Sequence, residues 1–89
     1  MIKYKLRFTK IALKQFNALD KYVQGKIANY LNQYVHNSPN PRIVGKPLTE
    51  NLDGYWRYRI GDYRVICEIH DDIFEVIAIK IGHRSKIYN

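Results

Sequence analysis

Three arginines, Arg57, Arg59 and Arg64, stand among aromatics in the stretch YWRYRIGDYR, and a second basic group, His83, Arg84 and Lys86 with Tyr88, closes the chain in GHRSKIYN. A guanidinium is planar, keeps its charge at any physiological pH and offers a donor fork that matches a phosphate. Whether these forks converge depends on the backbone that carries them. Gly61-Asp62 reads as a two-residue hairpin turn. With that turn Ile60 faces Tyr63, Arg59 faces Arg64, Tyr58 faces Val65 and Arg57 faces Ile66. One face of the hairpin then carries Trp56, Tyr58, Ile60, Tyr63, Val65, Cys67 and Ile69, a set suited to packing against helices. The other carries Tyr55, Arg57, Arg59, Arg64, Ile66, Glu68 and His70. Like charges directly opposite each other cost up to about 1 kcal/mol on the scale of cross-strand pairs. A bound anion would relieve that cost; so would Glu68, or splaying of the arginines into water, and the local pattern leaves all three open. His83 stands out by its place beside Arg84 at the end of a strand, whereas His36 and His70 read as ordinary surface or capping residues.

The elements that position these groups follow from periodicity. Residues 2 to 8, IKYKLRF, alternate with period two and predict a half-buried strand. Thr9 then offers a helix N-cap, followed by Ala12, Leu13, Phe16 and Leu19 at helical spacing. Asp20 caps a second helix with Val23, Ile27, Tyr30, Leu31 and Tyr34 on one face. That helix stops before Pro39, and NSPNPRIVGKP reads as a loop. Strands are predicted at about 55 to 60, 63 to 70 and 73 to 81, the last two joined by Asp71-Asp72 as a second two-residue turn, with a tail too short for a further full element. The order β-α-α-β-β-β predicts an α+β fold: a twisted, mainly antiparallel sheet of about four strands with the helical hairpin on one face.

Composition bounds the partners. Fifteen Lys and Arg against eight Asp and Glu give a net charge of +7 and a pI near 9.6, which draws the chain to polyanions or to an acidic protein. Residues 1 to 54 hold nine basic and three acidic side chains, residues 55 to 89 six and five, so the general basic field and the arginine group are separate features. One cysteine, Cys67, allows no intramolecular disulfide and fits a reducing, cytoplasmic compartment. No apolar run resembles a signal peptide or a membrane span. There is no glycine-rich phosphate loop, no HExxH, no paired-cysteine zinc spacing and no nucleophile elbow, so neither metal nor cofactor is expected.

The ordered pair of motifs, GKPLTENLDGYWRYRIGDYRVICEI and then IAIKIGHRSKIY, resembles the RelE family of bacterial and archaeal toxins, within the RelE/ParE superfamily, over residues 45 to 88. The first half agrees in element order and basic character. The resemblance implies one RelE-like toxin domain over residues 1–89 and an mRNA interferase. Such an enzyme is an endoribonuclease that cuts the codon in the ribosomal A site without metal, by attack of the RNA 2'-hydroxyl on the adjacent phosphate. It implies a cognate antitoxin, acidic or extended and folding on binding, with operator DNA reached only through the antitoxin complex. Arg57 and Arg59 match the family's basic pair on the central strand, Arg64 the arginine after the turn, Arg84 the arginine of the last motif and Tyr88 the terminal tyrosine. Arginines stand here where lysines are frequent at 57 and 59, and arginine does not give up its proton to act as a base. The catalytic set is therefore Arg57, Arg59, Arg64, Arg84, His83 and Tyr88. Acid and base are sought among His83, Tyr88 and Glu68, the last as the carboxylate of a carboxylate–histidine pair. Lys10, Lys14, Lys21, Lys26, Lys46 and Lys86 are the expected contacts to RNA phosphates. Two rivals share the fold: a ParE-like gyrase poison, and a catalytically dead homologue acting only in a DNA-binding repressor complex.

Overall fold

A computed structural model describes residues 2–48 and 54–87. β1 (Lys5–Phe8) leads into α1 (Lys10–Asn17) and α2 (Lys21–Tyr34); then follow β2 (Lys46–Pro47), β3 (Trp56–Ile60), β4 (Tyr63–His70), β5 (Glu75–His83) and one turn of helix, α3 (Arg84–Ile87). Both helical caps form as the sequence predicts. Thr9 Oγ1 accepts from Ala12 N at 3.1 Å, and Asp20 Oδ1 from Val23 N at 3.0 Å.

The sheet has five strands in the order β1-β5-β4-β3-β2, one more than expected, because Lys46–Pro47, read as loop, pairs with Trp56 and Arg57. β1 joins parallel to β5, with Lys5 opposite Glu75 and Phe8 opposite Ala78, and the other pairs are antiparallel. The strand predicted from residue 2 starts only at Lys5. Tyr4 instead exchanges backbone bonds with Asn37 and Ser38, and His36 Nδ1 accepts from Leu6 N at 3.1 Å, so the outer edge of β1 is closed by the turn that follows α2.

The hairpin register around Gly61-Asp62 is as predicted, with Gly61 at φ 59°. The second turn differs: four residues, Asp71 to Phe74, separate His70 from its partner Glu75. A two-residue turn of the favoured type needs a left-handed backbone at both positions. The longer turn needs it only at Phe74 (φ 54°), whose ring stacks edge-on against Tyr4 at 5.7 Å. Asp71 there accepts a fork from Arg42 Nη1 and Nη2, at 2.9 and 3.0 Å, and a bond from the Tyr4 hydroxyl.

The helical hairpin covers one face, where Ala12, Ile27, Leu31, Val35, Tyr58, Val65, Cys67, Val76 and Ala78 form the buried core. Leu13, expected in it, is about half exposed, because Ala12 is the residue that α1 turns onto the sheet. The opposite face is not simply wet. Leu48, Ile66 and Ile87 make a second buried cluster with Tyr55 and Ile79 at its edge. Ile79 is an extra residue in β5: Ile66 pairs with Lys80 and Cys67 with Ala78, a bulge that accompanies the apolar patch onto which α3 folds back. Burying Ile66 and Ile87 stabilises this small layer by roughly 1.5–3 kcal/mol per side chain. Among the described residues no helix is long and apolar enough to cross a membrane.

Candidate functional site

The arginines occupy the end of the sheet formed by the β3–β4 turn. Arg59 and Arg64 are direct cross-strand partners, and Gly82 of β5 lies on the other side of Arg64. Without a side chain at Gly82 nothing separates Ile87 from the strand; a Cβ there would already lie 3.6 Å from Ile87 Cδ1.

Arg64 is only 7% exposed. Its Nη1 donates to Gly61 O and Tyr63 O, both at 3.0 Å, while its equally buried Nε has no hydrogen-bond partner among the described residues. The charge is thus tethered to the turn on one side and left with unused donor capacity, an arrangement that costs free energy unless an anion completes it. Arg84 is joined to the same turn through its backbone, N to Asp62 O at 2.8 Å. Its guanidinium stays exposed, with Nε 3.9 Å from Asp62 Oδ1, and a pair so open to water contributes less than about 1 kcal/mol. Arg59 is exposed and Arg57 half-buried. With Lys46 of β2, which faces Arg57 of β3, they line a shallow depression of about 170 Å³ at the sheet edge, together with Gly45 and Tyr30.

Arg57, Arg59, Arg64, Arg84 and Lys46 therefore share one face and one end of the sheet. The remaining expected residues do not join them. His83 faces Tyr63, not Arg64, and its ring meets the Tyr63 ring edge-on at 5.4 Å on the helical side of the sheet. Ser85 N donates to His83 Nδ1 at 3.1 Å, so the imidazole starts α3 as a cap and carries its neutral-form proton on Nε2. Glu68 bonds to His70 Nε2 at 2.9 Å, four residues or about 13 Å along β4 from Arg64, which removes it from any pair with His83. Lys10, Lys14, Lys21 and Lys26 are exposed on the helical layer, across the sheet from Arg57 and Arg59; Lys26 Nζ lies 5.6 Å from the Tyr22 ring centroid. Lys86 is exposed on α3. Tyr88 lies outside the described residues.

Three residues around the turn were passed over in the sequence. Tyr63, Gln15 and His83 line a cleft from the helical side at the open edge of β5, and Lys80, which pairs with Ile66, closes it from the other face. Only Lys80 carries a local signal, a cation inside the otherwise apolar strand IAIKIG. Among the described residues no group of three His, Cys, Asp or Glu is placed to hold a metal ion.

The family profile of the ParE toxin of type II toxin-antitoxin systems, parDE, matches residues 6–88. Toxin RelG of Mycobacterium tuberculosis is 31% identical over 85 residues, spanning 96% of this chain and 95% of RelG. The solved toxin-antitoxin complex RelBE2 from the same organism contains a chain that superposes with a TM-score of 0.81 at 29% identity, covering 97% of both chains. The isolated Escherichia coli RelE toxin superposes with a TM-score of 0.72 at 22% identity, over 90% of this chain and 83% of that one, and shares the fold.

Proposed function

This chain belongs to the RelE/ParE family of toxins of type II toxin-antitoxin systems, and from that premise we propose that it is an endoribonuclease that cuts mRNA in the ribosomal A site. The observation that carries the reading is Arg64, a buried guanidinium with one unpartnered donor, fixed between Arg59 and the turn that anchors Arg84.

RNA carries its own nucleophile. The 2'-oxygen bonds to the adjacent phosphorus, the bond from phosphorus to the 5'-oxygen breaks, one proton leaves the 2'-hydroxyl and one reaches the departing oxygen. Negative charge grows on the non-bridging phosphate oxygens meanwhile. Guanidiniums held in place beforehand stabilise it without reorganising, and each such donor is worth about 10²–10³ in rate. Arg64 and Arg84 take that role, with Arg57 or Arg59 neutralising the neighbouring phosphate. For proton transfer at the scissile phosphate Tyr88 is the group proposed, because His83 is turned to the helical side against Tyr63. Tyr88 takes the base role if the arginines lower its pKa from about 10. The exposed lysines of α1 and α2 meet ribosomal RNA, on the face away from the scissile phosphate.

A cognate antitoxin completes the reading. The solved relatives include toxin-antitoxin complexes, and an acidic segment that folds on binding suits the basic end of this sheet. Primer extension on a defined mRNA in a reconstituted translation reaction tests the proposal, with wild type and Arg84→Ala. Arg84 is exposed, so its variant keeps the fold. Cuts within the A-site codon that require ribosomes, are absent from an isolated-RNA control with EDTA and vanish in the variant support an interferase. Intact mRNA with inhibited DNA gyrase overturns it in favour of a ParE-type activity.

A further inference from the structure

β1 accompanies β5 only as far as Ala78, so from Ile79 onward β5 has no strand on that side. α1 and α3 flank the gap and leave a cleft of about 430 Å³, lined by Gln15, Leu19, Tyr63, Lys80, His83 and Lys86. That volume falls in the range of ordinary small-ligand sites, about 300–1,000 Å³.

We propose that this cleft is a second ribonucleotide subsite at the open edge of β5, with Gln15, Tyr63 and His83 on its helical side and Lys80 on the side of the arginines; it rests on the RNA-cleaving reading above. Its walls are fixed beforehand. Gln15 Oε1 accepts from Ile81 N at 2.8 Å, which orients the amide and leaves its Nε2 to donate. Tyr63 and His83 brace each other at 85°, giving an aromatic wall, and the Ser85 bond assigns a proton to His83 Nε2. Two ammonium groups, Lys80 and Lys86, lie at the cleft and no carboxylate lines it. An aromatic wall, an amide donor, a ring N–H and two cations together suit a base and its phosphate. Continuity with the arginine site follows from the chain itself: Tyr63 and Arg64 are neighbours on β4 that point to opposite sides of the sheet, and His83 directly precedes Arg84 at the start of α3. An RNA strand crossing the tip touches both sites.

The test is a two-dimensional ¹H–¹⁵N spectrum of the full chain titrated with an uncleavable 2'-O-methyl hexanucleotide, with 5'-AMP and with a poly-glutamate peptide. The hexanucleotide is expected to shift the Gln15 side-chain amide, Ile81 N–H and the His83 ring together with Arg64 Nε–H. Lys80→Gln is expected to lower the slope of log affinity against log salt by about 0.7, the loss of one phosphate contact on a single strand. Gln15→Glu retains the acceptor for Ile81 N–H, so the spectrum stays dispersed, while its charge among the lysines weakens binding. Shifts confined to the arginine face overturn the subsite and leave the RNA reading standing. Cleft shifts with 5'-AMP but not with the oligomer overturn it in favour of a free nucleotide, and cleft shifts with poly-glutamate alone in favour of an acidic protein chain. No shift anywhere with RNA overturns the subsite, and the primer-extension result then decides the cleavage reading separately.

Discussion

Replacing Arg64 separates what its charge does for catalysis from what its bulk does for the fold. Arg64→Ala removes two buried methylenes, about 0.8 kcal/mol each. It also removes two hydrogen bonds from a charged donor, nominally about 1.5–3 kcal/mol apiece. Gly61 is exposed, so the freed turn carbonyls regain water, and the buried charge with its unpartnered Nε no longer has to be desolvated. Together these give a destabilisation of roughly 2–4 kcal/mol, a large share of the 5–15 kcal/mol usual for a domain. Arg64→Met keeps an apolar stem of similar length in the same slot and is expected to cost only about 1–2 kcal/mol. Urea denaturation of both variants gives the stability difference, and single-turnover cleavage of ribosome-bound mRNA gives the rate. The methionine variant should stay folded and lose at least about 10² in rate. Cleavage within tenfold of wild type refutes the electrostatic role. A methionine variant as unstable as the alanine one shows instead that the guanidinium serves the turn.

Gly45 adopts φ 82°, and a Cβ there would lie 2.5 Å from Arg57 O and from Trp56 Nε1. Gly45→Ala should therefore cost roughly 2–5 kcal/mol, combining left-handed strain with overpacking, and a shift in the urea midpoint measures it. Asp71 is held below the ordinary carboxylate value of 3.8, first by the hydrogen bond from Arg42 and then by that from Tyr4. Its folded pKa is the depressed one, so its stabilisation is complete above the unfolded value and is lost as pH falls through the folded one. Asp71→Asn should lower stability at pH 7 and flatten the acid limb of a midpoint-against-pH series; an unchanged acid limb rules the clasp out as its source. Burial pushes the Cys67 thiol pKa up, and the residue is 0% exposed. Alkylation at pH 8 should proceed only at the rate of opening in the native chain and rapidly in denaturant, as mass spectrometry would read.

Local chemistry was legible where a short stretch decides the outcome. Thr9 and Asp20 cap their helices because one side-chain oxygen reaches a backbone N–H three residues on, and Gly61 sets the register that brings Arg59 opposite Arg64. Distant partners decided the rest. Phe74 takes its left-handed backbone in a turn where Tyr4 and Arg42 grip Asp71, residues far away in sequence. The bulge at Ile79 accompanies the packing of Leu48, Ile66 and Ile87, a cluster drawn from three separate segments. For the same reason His83 was grouped with the arginines. Read as tail it stood beside Arg84, but as the last residue of a longer β5 it turns to the helical side.

The parallel pairing of β1 with β5 also bears on how the molecule comes into being. Lys5 cannot find Glu75 until every residue between them has been made, and contacts of such long sequence separation are slow to form. The lone β3–β4 hairpin has local partners, whereas the first strand waits for the last one. Nascent chains emerging from a ribosome therefore carry an unpaired β1, and the sheet closes only after β5 has emerged. A protein proposed to strike translating ribosomes thus stays unfinished on its own ribosome until β5 is free to meet β1.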